Sequence, residues 1–241
     1  ISERIQSEGL ASKFTPVRGN FKNLKNLAEQ HGFNQVNGVL YDLGYSSSQL
    51  ADSNTGLSFL HDQPLDMRLD ANLGVTAADL VNVLSEKDLT KMFFDYSDEL
   101  LSRKFAKAIV EYRNLKKFQT TKDLADLIAS VAPPGYEHGR IHPATRIFQA
   151  LRIVVNAELE NLEVSLPQAA QILLPGGRMI VISFHSLEDK LVKNFGHTAR
   201  PLEISENGIR EVLDKPRVPA IAEVEQNTRA RSAKMRVFEK I

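Results

Sequence analysis

The chain has 241 residues, 42% of them hydrophobic and 25% charged, a globular composition that excludes a disordered or collagen-like polymer. Lys+Arg and Asp+Glu both total 30, so zero net charge argues against coating nucleic acid through bulk charge while leaving room for a local basic patch. The absence of cysteine removes disulfides, thiolate nucleophiles and cysteine-bound zinc and fits a reducing, cytoplasmic setting, and no apolar run approaches the ~20 residues of a membrane helix.

Ile1-Ser-Glu-Arg-Ile-Gln-Ser-Glu8 reads as the polar face of a helix already under way, and with no initial Met the chain is expected to be a fragment. Lys13 to Phe21 reads as a short strand ending in a turn, and Lys22 to His31 as a helix stopped by Gly32. Val36 to Gly44, with Val39, Leu40 and Tyr41 at its centre, predicts a buried parallel strand. Strand, helix and strand in sequence form a βαβ unit, which implies a mostly parallel sheet covered by helices.

From 51 to 140 the period changes to helical. Leu101, Phe105, Ala108, Ile109 and Tyr112 recur at three- and four-residue steps, as do Leu124, Leu127, Ile128 and Val131 behind an N-cap at Thr120. Pro133-Pro-Gly135 then breaks the chain, so this stretch predicts an all-helical insertion. Helices are expected over 143–162 and 167–174, the second ending at Pro175-Gly-Gly. Arg178 to Phe184 is the best strand in the chain, and Ala233 to Lys240 reads as a final, partly exposed one. The core is thus assigned to 1–50 and 141–241, with 51–140 inserted.

Ligands of an open parallel sheet sit outside the carboxyl ends of its strands. That rule selects Gly19-Asn-Phe21, Asp42-Leu-Gly-Tyr-Ser-Ser47 and Ser183-Phe-His-Ser-Leu-Glu-Asp189. Asp42 there either accepts hydrogen bonds from a ligand or merely caps the next turn. A nucleophile elbow at Gly44 to Ser48 fails at its last position, which is Ser, and no spacing supports a triad of Ser46, His185 and Asp189. Metal chemistry is not expected, because His138 and His142 sit among proline and glycine and share no helical face. Basic residues cluster at Arg103 to Lys117 and at Lys215 to Arg236, a pattern usual for solvated faces. Arg140-Ile-His-Pro-Ala-Thr-Arg146 is more suggestive, since Arg140, His142 and Arg146 flank a helix start, a ready phosphate site.

Together these segments resemble the bacterial ribosomal RNA small subunit methyltransferase H family. The matching stretches are Gly19-Asn-Phe21, Leu40-Tyr-Asp-Leu-Gly-Tyr-Ser-Ser-Ser-Gln-Leu50, Gly56-Leu-Ser-Phe59, Pro64-Leu-Asp-Met-Arg68, Arg140 to Ile153, Leu174-Pro-Gly-Gly177, Val181 to Asp189 and Arg229-Ala-Arg-Ser-Ala-Lys234. They run in order over nearly the whole chain. The resemblance implies an α/β fold with a Rossmann-like class I methyltransferase sheet, and transfer of a methyl group from S-adenosylmethionine to the N(4) amine of a cytidine in the decoding region of 16S ribosomal RNA. It carries cofactor contacts onto Phe21, Asp42 and Gln49. The strand-end placement adds Ser46 and Ser47 as aids and His185 as a candidate proton acceptor beside Asp42. Arg140, His142, Arg146 and Arg152, with the insertion, are assigned to gripping RNA of the small ribosomal subunit; a homodimer is left open.

Two departures stand out. The family's opening strand, Gly-Gly-His turn, helix and acid-ended second strand have no counterpart here, so truncation is expected, with cofactor binding impaired in the literal chain. Tyr45 stands where a small aliphatic residue is expected. Two rival readings are a non-enzymatic RNA- or ribosome-binding remnant and a methyltransferase of the same fold acting on another RNA.

Overall fold

The computed structural model describes residues 13–45, 55–196 and 208–241. They divide into two compact units, 1–44 with 159–241 and 45–158. No helix among the described residues is long and apolar enough to cross a membrane.

The first unit is built on a four-stranded mixed sheet, β1 (Val36–Asp42), β2 (Leu173–Ser183), β3 (Ile209–Glu211) and β4 (Lys234–Lys240), ordered β1-β2-β4-β3. β1 runs parallel to β2, while β4 is antiparallel to both β2 and β3. This is the expected α/β architecture. Its core joins Tyr41, Met179, Val181 and Phe238 from the strands to Leu162, Leu166, Ala169 and Ala170 of helix α7 (Glu158–Ile172). A further helix, α8 (Ser186–Gly196), packs on β2, β3 and β4. Its last residue, Gly196, lies so close to the fully buried Phe238 that an added Cβ would stand 2.1 Å from the ring.

Several expectations are corrected here. Lys13 to Asn20 is exposed and forms no strand, because no described strand offers it a ladder partner. The helix after it is shorter, α1 (Leu24–Gln30), entered through a 3₁₀ turn at Phe21–Asn23. Among the described residues β1 lies at the edge of the sheet, and it is not buried on both faces: Tyr41 and Val39 point into the core, whereas Leu40 is 64% exposed. The helix expected to end at Pro175 stops at Ile172, and Pro175-Gly-Gly lies inside β2. The register jumps there from Val36↔Leu173 to Gly38↔Arg178, so four residues of β2 bulge opposite Asn37 alone. Gly177 permits the bulge, since a Cβ would meet Leu174 O at 2.8 Å.

The second unit is all helical: α2 (Ala77–Val83), α3 (Glu86–Ser97), α4 (Ser102–Arg113), α5 (Thr121–Val131) and α6 (Ala144–Asn156). The predicted cap of α5 forms as a reciprocal box between Thr120 and Asp123. Phe93, Phe105, Ile109, Leu124, Ile128, Ile147 and Leu151 are fully buried in one cluster. α6 belongs to this cluster and not to the sheet, so the compact helical unit extends to Glu158 rather than stopping at 140. The single helix expected over 143–162 breaks at Ala157, which adopts a left-handed backbone (φ 49°), while Pro167, read as a helix start, lies inside α7.

Asn156, at the end of α6, ties the preceding loop down. Its Oδ1 accepts from Leu69 N at 2.8 Å, and its Nδ2 donates to Met67 O at 2.8 Å and Arg152 O at 2.9 Å. Met67 is completely buried with φ 65°, a strained position for a side-chain-bearing residue. Asn156→Ala is expected to cost ~2–3 kcal/mol, because it strips buried backbone groups of their partners; urea melts of the two proteins measure it.

Candidate functional site at the strand ends

The carboxyl ends of β1 and β2 lie side by side, with Asp42 in register with Ile182 and Leu43 N donating to Ile182 O at 3.1 Å. Asp42 is exposed, and its carboxylate has no hydrogen bond or ion pair with any described residue. Gly44 follows with φ 96°, a turn that only glycine enters cheaply.

Phe21 reaches the same end of β1 by a route built from local contacts. Asn20 Oδ1 accepts from Lys22 N at 2.9 Å and opens the turn. Gln168 of α7 then holds that turn from both sides, accepting from Lys25 N at 3.0 Å and donating to Lys22 O at 2.7 Å. Gly19 lies against Leu27, where a Cβ would come within 2.7 Å. The Phe21 ring meets the Tyr41 ring edge-on at 6.2 Å and is 36% exposed. Phe21 is therefore brought in through Tyr41, not Asp42, since successive side chains leave a strand on opposite faces. Tyr41 is a buried peg: its hydroxyl donates to Ser165 O at 3.1 Å and exchanges a hydrogen bond with Ser165 Oγ. Burial outweighs the Ser165 contact and pushes its pKa up to about 12, so it stays protonated. Neither Ser165 nor Gln168 was picked out from the sequence, as both look like ordinary helix-surface residues.

At the end of β2, His185 is the N-cap of α8. Its Nδ1 accepts from Glu188 N at 3.4 Å, and Glu188 Oε2 accepts in return from Phe184 N at 2.8 Å and His185 N at 3.3 Å. The pattern is a capping box with histidine in the cap position. With Nδ1 as acceptor, a neutral imidazole carries its proton on Nε2, which lies 3.2 Å from Glu188 Oε1 without hydrogen-bonding geometry. No lone pair is left over for a substrate proton. His185→Ala is expected to cost ~1 kcal/mol of stability, whereas His185→Asn, itself a good cap, restores stability and turnover together. Turnover lost in the stable Asn variant would return the imidazole to the chemistry. Asp189, next in the helix, binds Lys234 Nζ at 3.1 Å and Arg236 Nε at 2.7 Å.

Ser46, Ser47 and Gln49 lie outside the described residues. The four residues assigned to RNA all lie in the helical unit. Arg146 pairs with Glu137 at 2.6 Å and donates to Asp98 O, and Arg152 forks onto Glu158 at 2.7 and 2.9 Å while covering the Tyr45 ring at 4.8 Å. Tyr45, the unexpected aromatic, is thus a platform for Arg152. His142 caps α6 through Ala144 N and stacks on Phe59 at 4.8 Å. Arg140 alone is exposed with no partner for its side chain among the described residues. Two of the three arginines already hold internal carboxylates, a commitment that spacing does not reveal.

Comparison with known proteins extends this picture. The model of the MraW methylase family matches residues 3–241. The chain is 43% identical to a protein of Carboxydothermus hydrogenoformans named ribosomal RNA small subunit methyltransferase H, over 95% of this chain and 77% of that protein. It is 48% identical to a protein of the same name from Synechocystis sp., over 93% of this chain and 68% of the relative. A third of that name, from Nostoc sp., is 49% identical over 84% of this chain and 64% of its own length.

Proposed function

The chain belongs to the MraW methylase family, and we propose that it transfers a methyl group from S-adenosylmethionine to the N(4) amine of a cytidine in the decoding region of 16S ribosomal RNA. The observation that carries this reading is the exposed carboxylate of Asp42 at the tip of β1, unengaged by any described residue and in register with the end of β2. The shared name of the relatives supports the substrate class, and with the small ribosomal subunit as the proposed partner the proposed place of work is the cytoplasm.

The residues fit the cofactor in kind. Phe21 offers an aromatic face for an adenine, Asp42 an acceptor that no described residue engages, and Gln49 an amide to fix orientation. When bound, S-adenosylmethionine supplies an electrophilic methyl on a sulfonium. The chain's task is then placement, because in-line approach at ~3 Å supplies most of the acceleration. The cofactor would give up that methyl to the amine and keep the bonding pair at its sulfur, while the chain would hold the amine in line and its surplus proton would pass to solvent. Asp42, with Ser46 and Ser47 beyond it, is proposed to accept from the amine N–H and orient its lone pair. His185 keeps the end of β2 in shape. The base must leave its stack to enter.

The test is to incubate the protein with small ribosomal subunits and methyl-labelled cofactor and to map the labelled base. Label on N(4) of one decoding-region cytidine is the expected result. Label on another base overturns the substrate assignment, and RNA binding without any label favours the non-enzymatic rival.

A further inference from the structure

The segment that presents Phe21 is held by very little apolar burial. Neither the 3₁₀ turn Phe21–Asn23 nor α1 contains a buried residue, and α1 is seven residues long with no side-chain cap at its start. A helix of that length is marginal by itself, so its position is set by what it touches. Leu24 packs partly against the core of the sheet, and among the rings of the described residues Phe21 meets Tyr41 alone.

Beside these contacts stands one polar side chain, half-buried on α7. Gln168 Nε2 donates to Val164 O at 2.9 Å, one turn back in its own helix, and that bond fixes which end of the amide faces which group. The same Nε2 donates to Lys22 O at 2.7 Å, while Oε1 accepts from Lys25 N at 3.0 Å, an orphan donor of the first turn of α1. Gln168 thus grips backbone on both sides of the Asn23–Leu24 junction, right behind the ring. Gln171, one turn on, accepts from Lys25 Nζ at 3.2 Å and so holds a side chain instead. The Phe21 and Tyr41 rings stand at 80° to one another, which leaves at least one face of Phe21 clear of Tyr41. An aromatic face kept in place by backbone hydrogen bonds suits a planar ring that docks on it.

We propose that Gln168 is a positioning residue for the adenosyl part of the cofactor: by holding the turn that carries Phe21 it sets affinity for the adenine ring and leaves the transfer step unchanged. The inference rests on the reading that Phe21 takes the adenine.

Gln168→Met tests it, because methionine keeps the length of the side chain and removes both bonds to the turn. Calorimetry of the whole protein with S-adenosylhomocysteine should show about tenfold weaker binding, since two lost hydrogen bonds leave the turn in its binding form for a smaller fraction of the time. Adenosine alone should lose the same factor. Phe21→Ala is expected to weaken binding at least as much. The variant carrying both changes should bind no more weakly than Phe21→Ala, because a residue that acts through Phe21 then has nothing left to position. In methyl transfer, Gln168→Met should raise KM for the cofactor by the same factor and keep kcat near that of the parent. Gln171→Met should bind like the parent, and thermal melts should lie close together, as the turn adds no residue to the core. Unchanged affinity in Gln168→Met, a further loss in the double variant, a loss that adenosine does not share, or no binding by the unaltered protein overturns the proposal. Phe21→Ala without any loss removes the adenine from Phe21 and takes the underlying reading with it, whereas a loss in Phe21→Ala with Gln168→Met unmoved sinks this inference alone.

Discussion

Arg236→Met is expected to destabilise the protein by about 3–5 kcal/mol. Arg236 is 6% exposed in β4, and it joins Asp189 of α8 at 2.7 Å to Glu211 of β3 at 2.9 Å, with Lys234 on the outer side of Asp189. One guanidinium thus stitches a helix to two strands. Methionine keeps the aliphatic stem but leaves two largely desolvated carboxylates without the charge that offset their burial. Chemical denaturation of the whole protein measures the loss. A triple variant, Arg236→Met with Asp189→Leu and Glu211→Leu, should recover most of it, because a well-packed apolar trio carries no desolvation penalty. If the single variant melts like the parent, the network contributes no more than a surface pair.

The same network gives a pH dependence. Burial alone would raise the Asp189 carboxyl, but hydrogen bonds from Arg236 and Lys234 outweigh it and hold it below the usual carboxylate range. A carboxyl with a depressed folded-state pKa contributes stability at pH values above its unfolded value, about 3.9, and loses that contribution as the pH falls through the folded value. Unfolding free energy should therefore drop on acidification below about pH 4. In Arg236→Met that acid-dependent part should be smaller, since much of what depresses Asp189 has gone.

Asp42→Asn is expected to lower methyl transfer roughly 10- to 100-fold, the range for losing a hydrogen bond to a charged acceptor. Stability should be unchanged, because Asp42 is exposed and holds no described residue in place. Cofactor affinity by calorimetry and single-turnover transfer separate binding from orientation. A variant that binds and transfers normally would remove Asp42 from the site, and one that melts early would make it a structural cap.

Much of the organisation was readable along the chain because its signals are local. A β-rich run marks β2, alternation marks β4, and three- and four-residue spacing marks α4 and α5, down to the Thr120 cap. Asp42 was legible as well, because a carboxylate at the end of an apolar strand needs no partner to be noticed. Other features depend on residues distant in sequence. The Lys13–Asn20 stretch has strand-forming residues, but a strand exists only with a neighbour, and none is described there. β3 is three residues long and is created by its pairing with β4.

Side-chain commitments divide the same way. The sequence by itself determined the family, the α/β class and the chemical types gathered at the strand ends, since these follow from residue identity, order and period. Only the tertiary structure decided which groups remain available. It turned His185 into a cap, gave Arg146 and Arg152 to Glu137 and Glu158, and left the Asp42 carboxylate without a described partner. The reason is physical: a charge or hydroxyl is spent or free according to what lies within about 3 Å of it, and folding, not spacing, sets that distance.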